Sequence, residues 1–233
     1  MKAGIASARF PALCVLSFAV SLAASAGCMM HDQGLPQVLG VEPYPGGWDL
    51  QKITDKNADP NIVEVDLEAG VTEVEYLPGK RTPAWAYNGS VPGPLIEAKV
   101  GDRVLVHFKN SLPEPTTIHW HGVRVPNNMD GNTLTMNAIP AGGNFDYSFT
   151  VKDAGTFWYH PHVRSDEQVE KGLYGALVVR APNEPVLSSE RVVMLDDVYL
   201  DDDGMPMPSG DMMELMIGRQ GNLPLVNGKP RPI

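Results

Sequence analysis

Hydrophobic and polar residues alternate at several places along the chain. Val63, Val65 and Leu67 alternate with Glu64, Asp66 and Glu68. A period of two predicts a strand with one face buried. Val74 and Tyr76 repeat the pattern, and so do Val104, Val106 and Phe108, then Phe145, Tyr147, Phe149 and Val151. Residues 156–159 and 176–179 are short runs rich in aromatic or branched side chains. Asn88-Gly89 and Val91-Pro92-Gly93-Pro94 carry turn chemistry. No stretch shows a convincing helical period, so the prediction is all-β, a sandwich or barrel. Residues 27–60 lack a period and read as an extended leader. A first β domain is expected over 61–182. Asn183-Glu184-Pro185 then opens a boundary near 182–190, and residues 191–195 read as the first strand of a second unit that occupies 183–233.

The first residues have the form of a targeting segment. Lys2 and Arg9 precede the apolar run PALCVLSFAVSLAA, too short to span a bilayer, and Ala24-Ser25-Ala26 is a small-x-small cleavage site. This predicts export, to the periplasm in a bacterial cell, with residues 1–26 removed. Ser25-Ala26-Gly27-Cys28 also resembles a bacterial lipoprotein box, with cleavage after Gly27 and a lipid anchor on Cys28. Both readings stay open. The cysteines are Cys14 and Cys28 alone. The part expected to fold therefore has no disulfide, no thiolate metal ligand and no cysteine nucleophile.

Charge narrows the partners. The formal net charge is −10, which disfavours nucleic-acid binding and basic attachment to membranes. Asp201, Asp202 and Asp203 read as a solvated acidic loop. Gly 23 and Pro 21 exceed ordinary usage and fit many short strands.

Candidate chemistry sits in two histidine pairs, His119-Trp120-His121-Gly122 and His160-Pro161-His162. On a strand, residues i and i+2 share a face, so each pair offers two adjacent imidazoles and Trp120 points the other way. Imidazole suits copper, zinc, iron or nickel, so the pairs alone leave the metal open. His107 faces away from the inward set Val104, Val106 and Phe108 and reads as a surface residue. His31 lies in the leader. Trp158 and Tyr159 read as core beneath the ligand strand. Met205, Met207, Met212, Met213 and Met216 crowd one segment, either as soft copper ligands or as packing.

The segments WAYNGSVPGPLIEAKVGDRVLVHFKN, TTIHWHGVRVPNNMDG, AIPAGGNFDYSFTVKDAGTFWYHPH and KGLYGALVV occur in this order between residues 85 and 179. Together they resemble the first cupredoxin domain of the multicopper oxidases, the laccase-like family. LDDVYLDDDG and GRQGNLPLVNGKPRP look like the opening of that family's second cupredoxin domain. The resemblance implies a cupredoxin-like Greek-key sandwich followed by an incomplete second domain. It implies a copper oxidoreductase that reduces dioxygen to water while oxidising an electron-donating small molecule or metal ion. His119 would bind the type 2 copper, His121 and His160 one type 3 copper, and His162 the other. Asp130 would sit near the type 2 copper and help move protons; the residues themselves also allow an ordinary Asp-Gly turn there.

The family's type 1 copper needs a His-Cys-His motif, and its cluster needs four further histidines. Neither is present. The expectation is half of a trinuclear cluster and no type 1 site, in a truncated member whose missing half, or a self-associated copy, would complete it. The alternative is a non-enzymatic periplasmic copper-binding module. A cupredoxin-like domain that has lost its metal is a third reading.

Overall fold

The computed structural model describes residues 47, 49–185, 187–208, 214, 216 and 218–230. Cys14, Cys28, His31, Met212 and Met213, and with them the targeting segment and most of the leader, lie outside the described residues.

The alternating segments become two four-stranded sheets. In the first, β1 (Ile62–Leu77) is flanked by β2 (Lys80–Tyr87) and β4 (Arg103–Ser111), with β6 (Asn144–Thr150) outside β4. The second runs in the order β3 (Gly93–Lys99), β8 (Gly175–Arg180), β7 (Gly155–His160) and β5 (His119–His121). The two short periodic stretches at 63–67 and 74–76 are one 16-residue strand. Its first half pairs in parallel with β4, from Ile62 opposite Arg103 to Gly70 opposite Ser111. Its second half pairs antiparallel with β2.

The core between the sheets follows the period-two reading. Val65, Leu67, Val104, Val106, Phe108, Tyr147 and Phe149 come from the first sheet. Ile96, Trp120, Tyr159, Leu177 and Val179 come from the second, and all twelve are buried. In β8, residues 175–179 are buried without alternation, because both faces of that strand are covered. On its outer side Leu95, Ala176 and Val178 meet Leu50, Val192 and Met194. Asn88 and Gly89 make the expected tight turn, with φ of 51° and 75°.

Three expectations need correction. First, residues 191–194 are not a strand; Val192 and Met194 instead cover the outer face of the second sheet. The strand begins one residue past them, as β9 (Leu195–Val198), in a three-stranded sheet with β10 (Leu223–Val226) and β11 (Lys229–Pro230). This sheet packs Val198, Leu223 and Leu225 on Tyr76 and Leu77 at the far end of β1. Second, a short helix, α1 (Ser165–Glu170), follows the second histidine pair. Six residues are too few to display a helical period, which is why the pattern concealed it. Third, Trp158 is not core, as described below. Among the described residues no helix is long and apolar enough to cross a membrane.

Candidate metal centre

Strands β5 and β7 lie side by side, and their register brings the histidines together. His119 is opposite His160, and His121 is opposite Trp158. Trp120 points into the core and is fully buried, as alternation requires. The second pair differs from expectation: β7 ends at His160, and His162 lies beyond it in a bend. Pro161 has no N–H for a ladder and breaks the strand there. His162 is held by its backbone N–H, which donates to Thr117 Oγ1 at 3.1 Å.

The result is one cluster of four imidazoles. Nitrogens of His119, His121 and His160 lie within 4.8 Å of one another. The His162 ring centroid is 4.1 Å from that of His119 and 5.6 Å from that of His160. His160 is buried, whereas His121 and His162 are exposed, so the cluster lies at the protein surface.

Backbone carbonyls fix the rings. A carbonyl can only accept, so the nitrogen facing it must carry the proton. His119 Nδ1–H donates to the Asp130 carbonyl oxygen at 2.8 Å. His160 Nδ1–H donates to the Pro161 carbonyl at 2.9 Å. Nε2 of each ring is thereby left with its lone pair. His121 differs: its Nδ1 faces His160 Nε2 at 3.2 Å, so this ring presents Nδ1 to the cluster. Burial pushes the pKa of His160 down to about 4; the neighbouring imidazoles add to this and the Pro161 carbonyl opposes it. Burial and the neighbouring His119 also lower His162. Both are neutral at neutral pH, the form a metal requires. Neutral imidazoles with oriented lone pairs suit copper, zinc, iron or nickel.

Asp130 lies at a turn, and its side chain comes close to the first histidine pair. It ends a 3₁₀ turn, Asn127–Met129, and its carboxylate Oδ1 also lies 3.3 Å from His119 Nδ1. Gly131 has φ +77° and packs against the backbone of Ile118 and His119; a Cβ there would lie 2.8 Å from the His119 nitrogen and closer still to the Ile118 carbonyl. Only glycine lets this loop lie so close to the ligand strand.

Two features escaped the sequence reading. Trp158 shares a face with His160, by the same i, i+2 rule that paired the histidines. It stacks on that ring at 3.9 Å and 23° rather than packing in the core. Gln168 on α1 is fully buried and bonded to the segment that precedes β5. A polar residue inside an unrecognised helix gave no signal in the sequence.

The other candidates lie elsewhere. His107 is on the outer face of the first sheet, between Glu64 and Asp146. Met205, Met207 and Met216 are exposed, as are Asp202 and Asp203 of the acidic turn.

Comparisons with known proteins point to one family. Residues 68–184 match the family model described as multicopper oxidase. The chain is 45% identical over 143 residues to copper resistance protein A of Pseudomonas syringae pv. tomato, a match covering 60% of this chain and 23% of that protein. It is 39% identical over 197 residues to laccase-2 of Cryptococcus neoformans var. grubii, covering 75% and 31%. Among solved structures, the multicopper oxidase from Campylobacter jejuni, described as a metallo-oxidase, superposes with a TM-score of 0.74 at 36% identity, covering 84% of this chain and 41% of that one. The matched part of the chain thus spans 23% and 31% of the length of these two curated relatives.

Proposed function

This chain belongs to the multicopper oxidase family, and from that premise we propose that His119, His121, His160 and His162 hold copper as the N-terminal half of a type 2 and type 3 trinuclear cluster. The complete site would reduce dioxygen to water while a small molecule or metal ion is oxidised. The observation that carries the reading is the four-imidazole cluster, with the Nδ1 protons of His119 and His160 committed to carbonyls and Nε2 of each left as the ligating nitrogen. Bound copper would supply one-electron chemistry toward dioxygen.

The chain's own residues do the rest. The carbonyls of Asp130 and Pro161 set which nitrogen each ring presents. Trp158 shields one face of His160 from water. The Asp130 carboxylate, half-buried beside His119, is placed to hold a proton at Oδ1 and pass it toward the cluster. His119 is assigned to the type 2 copper, His121 and His160 to one type 3 copper, and His162 to the other. Cysteine occurs only at positions 14 and 28, so electron entry through a thiolate-ligated type 1 copper needs ligands from outside residues 29–233. Those ligands would come from further sequence or from a different, cysteine-bearing partner chain. Export belongs to the same proposal. Intact mass of the mature protein would show loss of residues 1–26, or of 1–27 with a lipid on Cys28; retention of Met1 would overturn it.

Copper titration followed by electron paramagnetic resonance tests the site. The expected result is Cu(II) binding that a His119→Ala, His121→Ala double variant loses; equal binding by both proteins would refute it. A non-enzymatic copper-binding module is the second reading: residues 29–233 offer imidazoles but no cysteine. Oxygen uptake with a phenolic or cuprous substrate separates the two. The chain alone should show none, and uptake abolished by His160→Ala would mean that the cluster is completed in the assembly.

A further inference from the structure

Gln168 lies six residues after His162, and it is fully buried with three side-chain hydrogen bonds. Its Oε1 accepts the Thr116 hydroxyl proton at 2.7 Å. Its Nε2 donates to the Glu114 carboxylate at 2.9 Å and to the Pro115 carbonyl at 3.0 Å. Both of those partners can only accept, so the amide has one possible orientation. Residues 114–116 lead directly into the ligand strand, since Thr117 receives the His162 N–H and His119 follows two residues later.

The helix that carries Gln168 is itself anchored. The Lys171 carbonyl at its end accepts the Trp85 N–H of β2 at 2.8 Å. Arg164 at its start pairs with Glu114 at 3.2 Å and with Glu167 at 2.6 Å. Thr116 is bonded on its other side to Ile139, through paired N–H and carbonyl groups. One histidine pair ends where α1 begins, and the other begins where the 114–116 segment ends. The Gln168 amide is the buried link between the two segments.

We infer that Gln168 is a positioning residue for the metal centre: it fixes the distance of His162 from His119 and so sets the geometry in which copper is held. This rests on the copper-site reading above. It places Gln168 outside the ligand set, acting through the backbone of residues 114–117. Outer partners of metal ligands typically change affinity by about 10- to 100-fold, and an effect transmitted by backbone belongs at the lower end.

The test uses the full mature chain with Cu(II) as probe, reading dissociation constant and parallel hyperfine splitting. Gln168→Met keeps the side-chain length and removes all three bonds. Thr116→Val removes the hydroxyl partner and gives a second route should Gln168→Met fail to fold. Val65→Ala is a destabilised control in the core of the other sheet. The expected result is about tenfold weaker copper binding and an altered hyperfine splitting in Gln168→Met. Thr116→Val should move in the same direction, and Val65→Ala should keep wild-type copper parameters despite its lower melting temperature. Wild-type copper binding in both network variants would overturn the inference and leave the copper site standing. An equal loss in Val65→Ala would also overturn it, by showing general destabilisation. A wild-type chain that binds no copper would overturn the site reading, and this inference with it.

Discussion

Replacing Gly131 with alanine should be among the most damaging single-methyl additions in the chain, and the structure says by how much. The residue has φ +77°, and its added methyl would meet the Ile118 carbonyl, with the His119 nitrogen 2.8 Å away. Forcing alanine into this left-handed conformation costs about 1 kcal/mol. The methyl cannot be relieved by turning a side chain, because it meets backbone. The loop must move off the strand, and overpacking of this kind costs about 1–3 kcal/mol. That movement withdraws the Asp130 carbonyl from His119 Nδ1, a further loss of about 1 kcal/mol. The total is about 3–5 kcal/mol. Gly142 is the matched control: its φ is +74°, but nothing lies within 4 Å of an added Cβ. Gly142→Ala should cost only the conformational part, about 1 kcal/mol. At about 2–4 °C per kcal/mol for a chain of this size, the melting temperature should fall by about 2–4 °C in Gly142→Ala and by at least about 6 °C in Gly131→Ala. Differential scanning calorimetry on the two variants decides it. Equal shifts would mean that the loop is not pressed against the ligand strand.

Two further predictions concern stability. The two ring nitrogens of His107 face Glu64 at 3.0 Å and Asp146 at 2.8 Å, so the protonated ring can donate to both carboxylates, and these bonds raise its pKa. Its contribution is full below the ordinary imidazole value of about 6.5 and is lost as pH rises through the raised folded value; it fades again as falling pH protonates Glu64, whose pKa the same bond lowers. Urea melts should therefore show a larger gap between wild type and His107→Gln at about pH 5.5 than at about pH 9, and a gap that does not narrow would refute the double bond. Tyr147 accepts the buried Ile118 N–H at 2.8 Å, one residue before His119. Tyr147→Phe leaves that N–H unpartnered and should cost about 1–3 kcal/mol in the same assay; a variant within about 0.5 kcal/mol of wild type would show the bond to be dispensable.

Much of the fold was legible because a half-buried strand must alternate. Val65, Leu67, Val104, Val106, Phe108, Tyr147 and Phe149 all face inward as their spacing requires. Legibility failed where burial came from something other than the opposite sheet. Val192 and Met194 alternate like a strand, but they cover the outside of β8 without pairing to it. The two stretches of β1 looked separate because Gly70 and the exposed Val71 interrupt the inward set just where the strand passes from one partner to the other.

The site divides along the same physical line. Spacing alone places His119 and His121 on one face, and it would also have placed Trp158 beside His160 had the rule been applied to the aromatic residue. What no spacing rule could supply is the register between β5 and β7, since that depends on how two strands distant in sequence are held together. Nor could it supply the carbonyls that choose between ring nitrogens. Asp130 shows why. Its carbonyl oxygen fixes the His119 ring through a backbone atom that any residue would provide, while the adjacent Gly131 is the residue type the position demands. In this loop the chemical constraint is written one residue away from the group that performs the task. A reading confined to chemically active side chains therefore finds the carboxylate and misses the carbonyl. The Gly131→Ala and Gly142→Ala pair separates the two contributions: a larger loss at Gly131 with the Asp130 carboxylate intact would assign the ring's orientation to backbone position rather than to charge.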